Sequence, residues 1–211
     1  MISNILLVSG IGLVVLSYLI ILINYIKYKR KNDNDYTGFD IAKEITDNYD
    51  SINIVNSSDV IFSEYDSVRN VIRMNNRNYD GNTYFDLAVG AILAGYSLVE
   101  QNNNNYFKFN FIIKKIGYLG FVSLFGVILS YFLNNVGDAK IGIVVLGIMI
   151  VYQYMKYNIN VMVSDIIKEN IKDEMYDKVS NVVNSVITFN KLSFITLLVL
   201  VVRLVVIIVG I

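Results

Sequence analysis

Few residues in this chain could do chemistry. With no His and no Cys, it has no Ser–His triad, imidazole base, thiolate nucleophile, disulfide or His-based zinc site. Carboxylates remain. Glu64, Asp66 and Asp80 lie close in sequence, yet each falls near an expected turn, where an acidic side chain commonly accepts hydrogen bonds from local backbone. Gly117, Gly120 and Gly126 sit inside an apolar run, where small residues let helices pack, and they form no phosphate-binding loop. Arg203 is a charge within the last apolar run. With no Asp or Glu in any apolar run, it reads as snorkelling outward or meeting the terminal carboxylate rather than lining an ion path. Eighteen Lys and Arg offset eighteen Asp and Glu, so net charge gives no support for nucleic-acid binding.

The elements that must carry these residues are mostly apolar. Hydrophobic residues make up 55% and charged residues 17%, against roughly 45–50% and 25% in soluble chains. Four runs read as membrane spans: Ile5 to Ile26, Ile116 to Leu133, Ile141 to Met155, and Leu192 to Ile211. The first ends in Lys27, Lys29, Arg30 and Lys31 and lacks the basic n-region and small-residue cleavage site of a signal peptide, so it reads as an uncleaved anchor. The third, at about 22 Å of helix, needs a thinned bilayer or packing neighbours. Of the eighteen basic residues, eleven fall in 27–115 and five in 156–191, while Lys140 alone lies in the loop 134–140. By the preference of Lys and Arg for the cytoplasm, both termini are expected outside a cell membrane and the large middle region inside.

The expected fold is therefore an α-helical multi-pass membrane protein with four transmembrane helices and a small α+β cytoplasmic domain. Its expected parts are an N-terminal anchor (1–31), a cytoplasmic α+β domain (32–115), a transmembrane hairpin (116–155), a cytoplasmic amphipathic helix (156–191) and a C-terminal transmembrane helix (192–211).

Within the cytoplasmic region, Thr37 with Asp40 and Thr83 with Asp86 are capping pairs that start two helices, the second running to about Glu100. The runs 51–56, 59–62 and 68–74 read as strands, with Tyr65-Asp66-Ser67 as a turn and Tyr79-Asp80-Gly81-Asn82 as another. Phe107, Phe109 and Phe111 suit a membrane-interface anchor. Val163, Ile167, Ile171, Met175, Val179, Val182 and Val186 recur at helical spacing and predict one amphipathic helix packed on the domain or along the membrane.

The order of these parts resembles the bacterial membrane-bound neutral zinc metallopeptidases of the YugP-like family. The resemblance rests on Thr37-Gly38 opening a helix, Tyr65-Asp66 followed by Arg69, Val71 and Arg73, the Tyr79-Asp80-Gly81 turn, and the buried helix after it. It implies a His-Glu-x-x-His motif at Ile92, Leu93, Ala94, Gly95 and Tyr96, and a third ligand, a Glu, at Lys156. That chemistry needs two imidazoles one helical turn apart to hold zinc and a Glu to take a proton from bound water. Ile92 and Leu93 do neither, Tyr96 offers a phenol that stays protonated at neutral pH, and a cation at Lys156 repels a divalent metal. Family positions that depart further are Glu64, where the family has His, and Ser67, where it has Pro.

The expectation is a degenerate relative of a zinc metallopeptidase: no catalytic residue, no metal, no cofactor, and a binding, regulatory or scaffold role. Its expected partners are the lipid bilayer and an active paralogue or membrane-protein client, and not nucleic acid. The alternatives are an active membrane metallopeptidase with a noncanonical site, or a structural or transport-related membrane component.

Overall fold

The computed structural model describes residues 2–32, 35–47, 49, 51–102, 136–171 and 173–209. In order, the elements are α1 (Ile2–Tyr28), α2 (Gly38–Thr46), β1 (Asn53–Asn56), β2 (Glu64–Asp66), β3 (Val71–Met74), α3 (Asn76–Asp80), α4 (Tyr84–Asn102), α5 (Val136–Asn170) and α6 (Asp173–Val209). They fall into two units. One comprises Met1–Leu19, Lys108–Tyr157 and Thr188–Ile211, and the other Ile20–Phe107 and Asn158–Ile187.

The second unit starts its helices where the capping pairs say it should. Thr37 is extended at the N-cap of α2, its Oγ1 accepting from the Asp40 backbone N–H at 3.2 Å while Asp40 Oδ2 accepts from the Thr37 N–H at 2.9 Å. Thr83 and Asp86 repeat this arrangement at the start of α4, with the Asp86 N–H donating to Thr83 Oγ1 at 3.2 Å. Two orphan backbone donors are satisfied at each helix start.

The sheet is small, with order β1-β3-β2. β1 runs parallel to β3 with Ile54 opposite Ile72, and β2 runs antiparallel with Tyr65 opposite Ile72. Alternation along β3 buries Ile72 and Met74. Both join a core with Ile41, Ala42 and Ile45 of α2 and with Leu87, Ala88, Ala91, Ala94 and Leu98 of α4. Tyr28 of α1, Val163 and Ile167 of α5, and Val179, Val182 and Val183 of α6 complete that core. The other unit has its own smaller cluster, Leu146, Leu197 and Leu204.

Helices α2 and α4 meet backbone to backbone. A Cβ built on Gly90 would lie 2.1 Å from the carbonyl oxygen of Gly38, and one on Gly38 would lie 2.1 Å from that of Asn78. No side chain fits at either position, so glycine is required there for the approach itself.

Several expectations need correction. The segment 59–62 is not a strand, and β2 occupies Glu64–Asp66, where a turn was expected. The cause is Asp66: its Oδ1 accepts from the Val68 and Arg69 N–H groups at 3.1 and 3.2 Å. This moves the turn to 67–70, where Asn70 takes φ 53°. The stripe from Val163 to Val186 is buried nearly throughout, but α5 ends at Asn170 and α6 begins at Asp173, so two helices share it.

The four-span architecture is also overturned. Among the described residues, two helices are long and apolar enough to cross a membrane, Val8–Tyr28 and Met175–Val206. The expected span 116–133 lies outside the described residues, as do Phe107, Phe109 and Phe111. The expected span 141–155 is part of α5, which continues as one 35-residue helix to Asn170. Its apolar stretch falls short of the roughly 30 Å of a bilayer core. Among the described residues the fold is mostly helical with one three-stranded sheet, and a multi-pass four-helix bundle is not supported.

Candidate functional site

Helix α4 carries three of the four residues to which sequence reasoning assigns the vacated chemistry. Leu93 is buried, and Ile92 and Tyr96 are half-buried and packed against the core. Ile92 and Tyr96 are one helical turn apart and so share a face. Tyr96 donates its phenolic O–H to Asn160 Oδ1 of α5. Asn160 is 2% exposed, and its Nδ2 has no hydrogen-bond partner among the described residues. Beside this pair, a Cβ on Gly95 would come within 2.6 Å of Val163 Cγ1, so α4 and α5 are in close contact along this turn. Lys156, the fourth residue, is half-buried, makes a polar interaction, and precedes Asn160 by four positions in the same helix. It falls in the other unit.

Of the carboxylates Glu64, Asp66 and Asp80, the first two converge on Arg73 and the third stands apart from them. Asp66 Oδ2 pairs with Arg73 at 3.1 Å and Glu64 faces the same guanidinium at 4.0 Å, while Asp80 is exposed at the end of α3. Arg203 lies on α6 in the other unit, half-buried and engaged in an interaction.

Three arrangements were missed by sequence reasoning. Asn160 is one, although a polar residue three positions before Val163 on the buried stripe was its signal. The second is a network at the C-terminal end of α4. Tyr65 donates to Asn70 Oδ1 at 2.9 Å, Asn70 Nδ2 donates to the Ser51 carbonyl at 2.6 Å, and Gln101 Nε2 donates to Ser51 Oγ at 2.8 Å. Burial, together with a hydrogen bond to Glu100 and the nearby Glu100 and Asp66 charges, pushes the Tyr65 phenol well above its ordinary pKa. The third is Lys178, whose Nζ lies 2.7 Å from Tyr84 Oη and 4.4 Å from the ring centroid. An open cavity of about 650 Å³ is lined by Asp35, Tyr36, Asp40, Lys43, Glu44 and Asp47. Asp40 is already committed there to the α2 cap.

A family model described as "Putative neutral zinc metallopeptidase" matches residues 3–161, well over half of the chain. This chain belongs to the neutral zinc metallopeptidase family. The match takes in both α4 and the Asn160 turn of α5. No curated protein and no solved structure matches.

Membership in a zinc metallopeptidase family implies a metal, and the donor set here does not fit one. Among the described residues, no group of three or more His, Cys, Asp or Glu side chains could hold a metal ion. At the α4 positions where the resemblance places imidazoles, Ile92 has no lone pair, and the phenol of Tyr96 is already donating to an amide oxygen. Zinc needs deprotonated N, S or O donors. A neutral phenol beside an amide does not supply them, and no step through a metal follows from these residues.

Proposed function

We propose that this chain is a pseudopeptidase: a membrane-associated relative of the zinc metallopeptidases that binds or scaffolds rather than cleaves. One observation carries the reading. The α4 face that would present two imidazoles and a Glu presents Ile92, Leu93 and Tyr96, and Tyr96 is tied to Asn160. Apolar residues there also remove a polar cluster that would be unsatisfied without its ion.

Membrane association is supported by exposure as well as composition. The apolar windows of α1 and α6 are only 12% and 17% buried. The core helix of a soluble protein would be mostly buried, whereas these leave a long apolar surface that needs lipid or a partner to cover it. On α1 the exposed residues Ile5, Val8, Val15, Leu19, Leu22 and Ile26 form one helical stripe. A removable signal sequence fits poorly, since Tyr28 is in the core of the second unit and the Arg30 carbonyl accepts from the Tyr84 N–H at 3.3 Å. The basic cluster Lys27, Lys29, Arg30 and Lys31 supports a cytoplasmic placement for that unit. The partner in this reading is a membrane protein, either a client or a metal-competent relative.

The decisive experiment is zinc stoichiometry on purified protein together with hydrolysis of a denatured protein substrate. The expected result is no bound zinc and no cleavage. One zinc per chain with chelator-sensitive cleavage would overturn the reading.

A further inference from the structure

Where α1 changes from apolar to basic, the second unit gathers tyrosines and cations. Arg77 of α3 donates to Tyr25 Oη at 2.6 Å and lies 5.4 Å from its ring centroid, with Lys29 Nζ 5.7 Å from the same ring. Lys27 Nζ stands 5.0 Å from the Tyr28 ring, and Tyr84, whose N–H donates to the Arg30 carbonyl, meets Lys178 at its hydroxyl. Tyrosine beside Lys and Arg is the composition of a membrane interface, where the ring is held in apolar surroundings and its polar end stays wet. The residues that reach Tyr25 also hold an exposed apolar loop. Asn75, the N-cap of α3, donates its Nδ2 to the Ile61 carbonyl at 2.9 Å and its N–H to Ser63 Oγ at 3.0 Å, and Asn78 Nδ2 donates to that Oγ at 3.0 Å. Residues 75–78 thus fasten both the loop and, through Arg77, the last apolar turn of α1. Between its anchors the loop presents Ile61 and Phe62, 83% and 81% exposed, and on the α1 turns beside Tyr25, Ile23 and Ile26 are 60% and 66% exposed.

From this arrangement we infer that Ile61 and Phe62 form a second membrane contact, a wedge that enters the headgroup region of an anionic bilayer beside the end of α1. Two observations choose lipid as the occupant. The wedge is tied through α3 to the exposed apolar face of α1, which already needs covering. The exposed cations Lys27, Lys29, Arg30 and Lys31 border that face and complement anionic headgroups. Asp59 and Glu64 flank the wedge, so only the two apolar side chains enter, at headgroup depth. A single helix leaves a domain free to swivel about its axis; a second contact fixes which side of the unit faces the membrane. The inference rests on the membrane association proposed above and is independent of whether the chain cleaves.

The chain has no Trp, so Phe62→Trp supplies a single fluorescent probe at a side chain the core does not use. Val68→Trp is the control, on a side chain 77% exposed at the turn on the far end of β2. Each full-length variant is reconstituted in phosphatidylcholine vesicles, with or without phosphatidylglycerol, whose acyl chains are brominated near the glycerol end. The probe at position 62 is expected to emit further to the blue than the control and to be quenched about twofold by bromine, as for a ring about 5–10 Å into the headgroup boundary. Quenching should be stronger with phosphatidylglycerol, and Lys27→Gln with Lys29→Gln should remove that increment. Emission at 62 as red and as unquenched as at 68 would overturn the inference. A blue shift without bromine quenching would show that protein covers the loop, and overturns it equally. Quenching that ignores phosphatidylglycerol would overturn the anionic assignment. If the chain does not float with vesicles, membrane association fails and the wedge with it; if it floats while the probe stays in water, the wedge alone fails.

Discussion

Replacing Gly90 by Ala adds one methyl group at the tightest point of the second unit. The new Cβ would sit 2.1 Å from the Gly38 carbonyl oxygen, 2.9 Å from its carbon and 2.9 Å from Ile41 Cγ2. Two of these are backbone atoms and cannot rotate away. Helix α2 is held from behind, because Gly38 itself faces the Asn78 carbonyl and the Thr37–Asp40 cap fixes the helix start. Relief therefore requires α2 to move off α4 as a body, opening space around Ile41, Ala42, Ile45 and Leu87, all fully buried. Overpacking of this kind costs about 1–3 kcal/mol, and each 100 Å³ of residual void adds roughly 2.4 kcal/mol. Opposing it, Ala is favoured over Gly inside a helix by about 1 kcal/mol. The expected net is a loss of about 2 kcal/mol or more, read by denaturant unfolding in detergent. Gly12→Ala is the control: a Cβ there meets nothing within 4 Å, so only the favourable helix term remains. If Gly90→Ala proves as stable as Gly12→Ala, the backbone contact between α2 and α4 is not as described.

Other outcomes follow from single contacts. Thr37→Ala removes the α2 cap and should cost about 1 kcal/mol, measured by thermal unfolding. Tyr65 has a folded pKa raised above its unfolded value. Its contribution is fully present below about pH 10 and lost as pH rises beyond it. Tyr65→Phe should therefore flatten the alkaline limb of a stability–pH profile, and an unaltered limb would count against a buried phenol. Ile61→Ser and Phe62→Ser, at side chains 83% and 81% exposed, should each change stability by less than about 0.5 kcal/mol. A larger loss in urea titration would show that this loop is packed.

What could be read from the sequence was what local rules determine. The caps at Thr37 and Thr83 depend on residues three apart, and both formed. The buried stripe from Val163 to Val182 was visible as spacing, but the break between Asn170 and Asp173 was not, because apolar period continues across it. The turn after β2 went astray because Asp66 was taken as part of the turn, when its side chain caps the turn that follows. At the candidate site, Ile92 and Tyr96 were reached through the spacing of a family motif on one helix. Asn160 was not, since its partner is 64 residues away and only packing of α4 on α5 brings them together. The four-span expectation failed for a related reason. Apolar content alone does not say whether a stretch such as 141–155 ends in a loop or runs on into a longer helix.

The last turn of α1 has a practical consequence for dissecting the molecule. Tyr28 is 4% exposed within the core, Tyr25 packs edge-on against Phe85 with ring centroids 4.9 Å apart, and Arg77 donates to Tyr25 Oη at 2.6 Å. Asn32 follows, its amide holding the Tyr36 and Asn82 carbonyls at 2.6 and 2.7 Å. A truncated protein starting at Asn32 would leave a Tyr-shaped hole and strip Arg77 of its phenol. The second unit cannot be obtained intact by cutting where the hydropathy ends; the last apolar turns of the leading helix have to be kept, with polar substitutions on their exposed face.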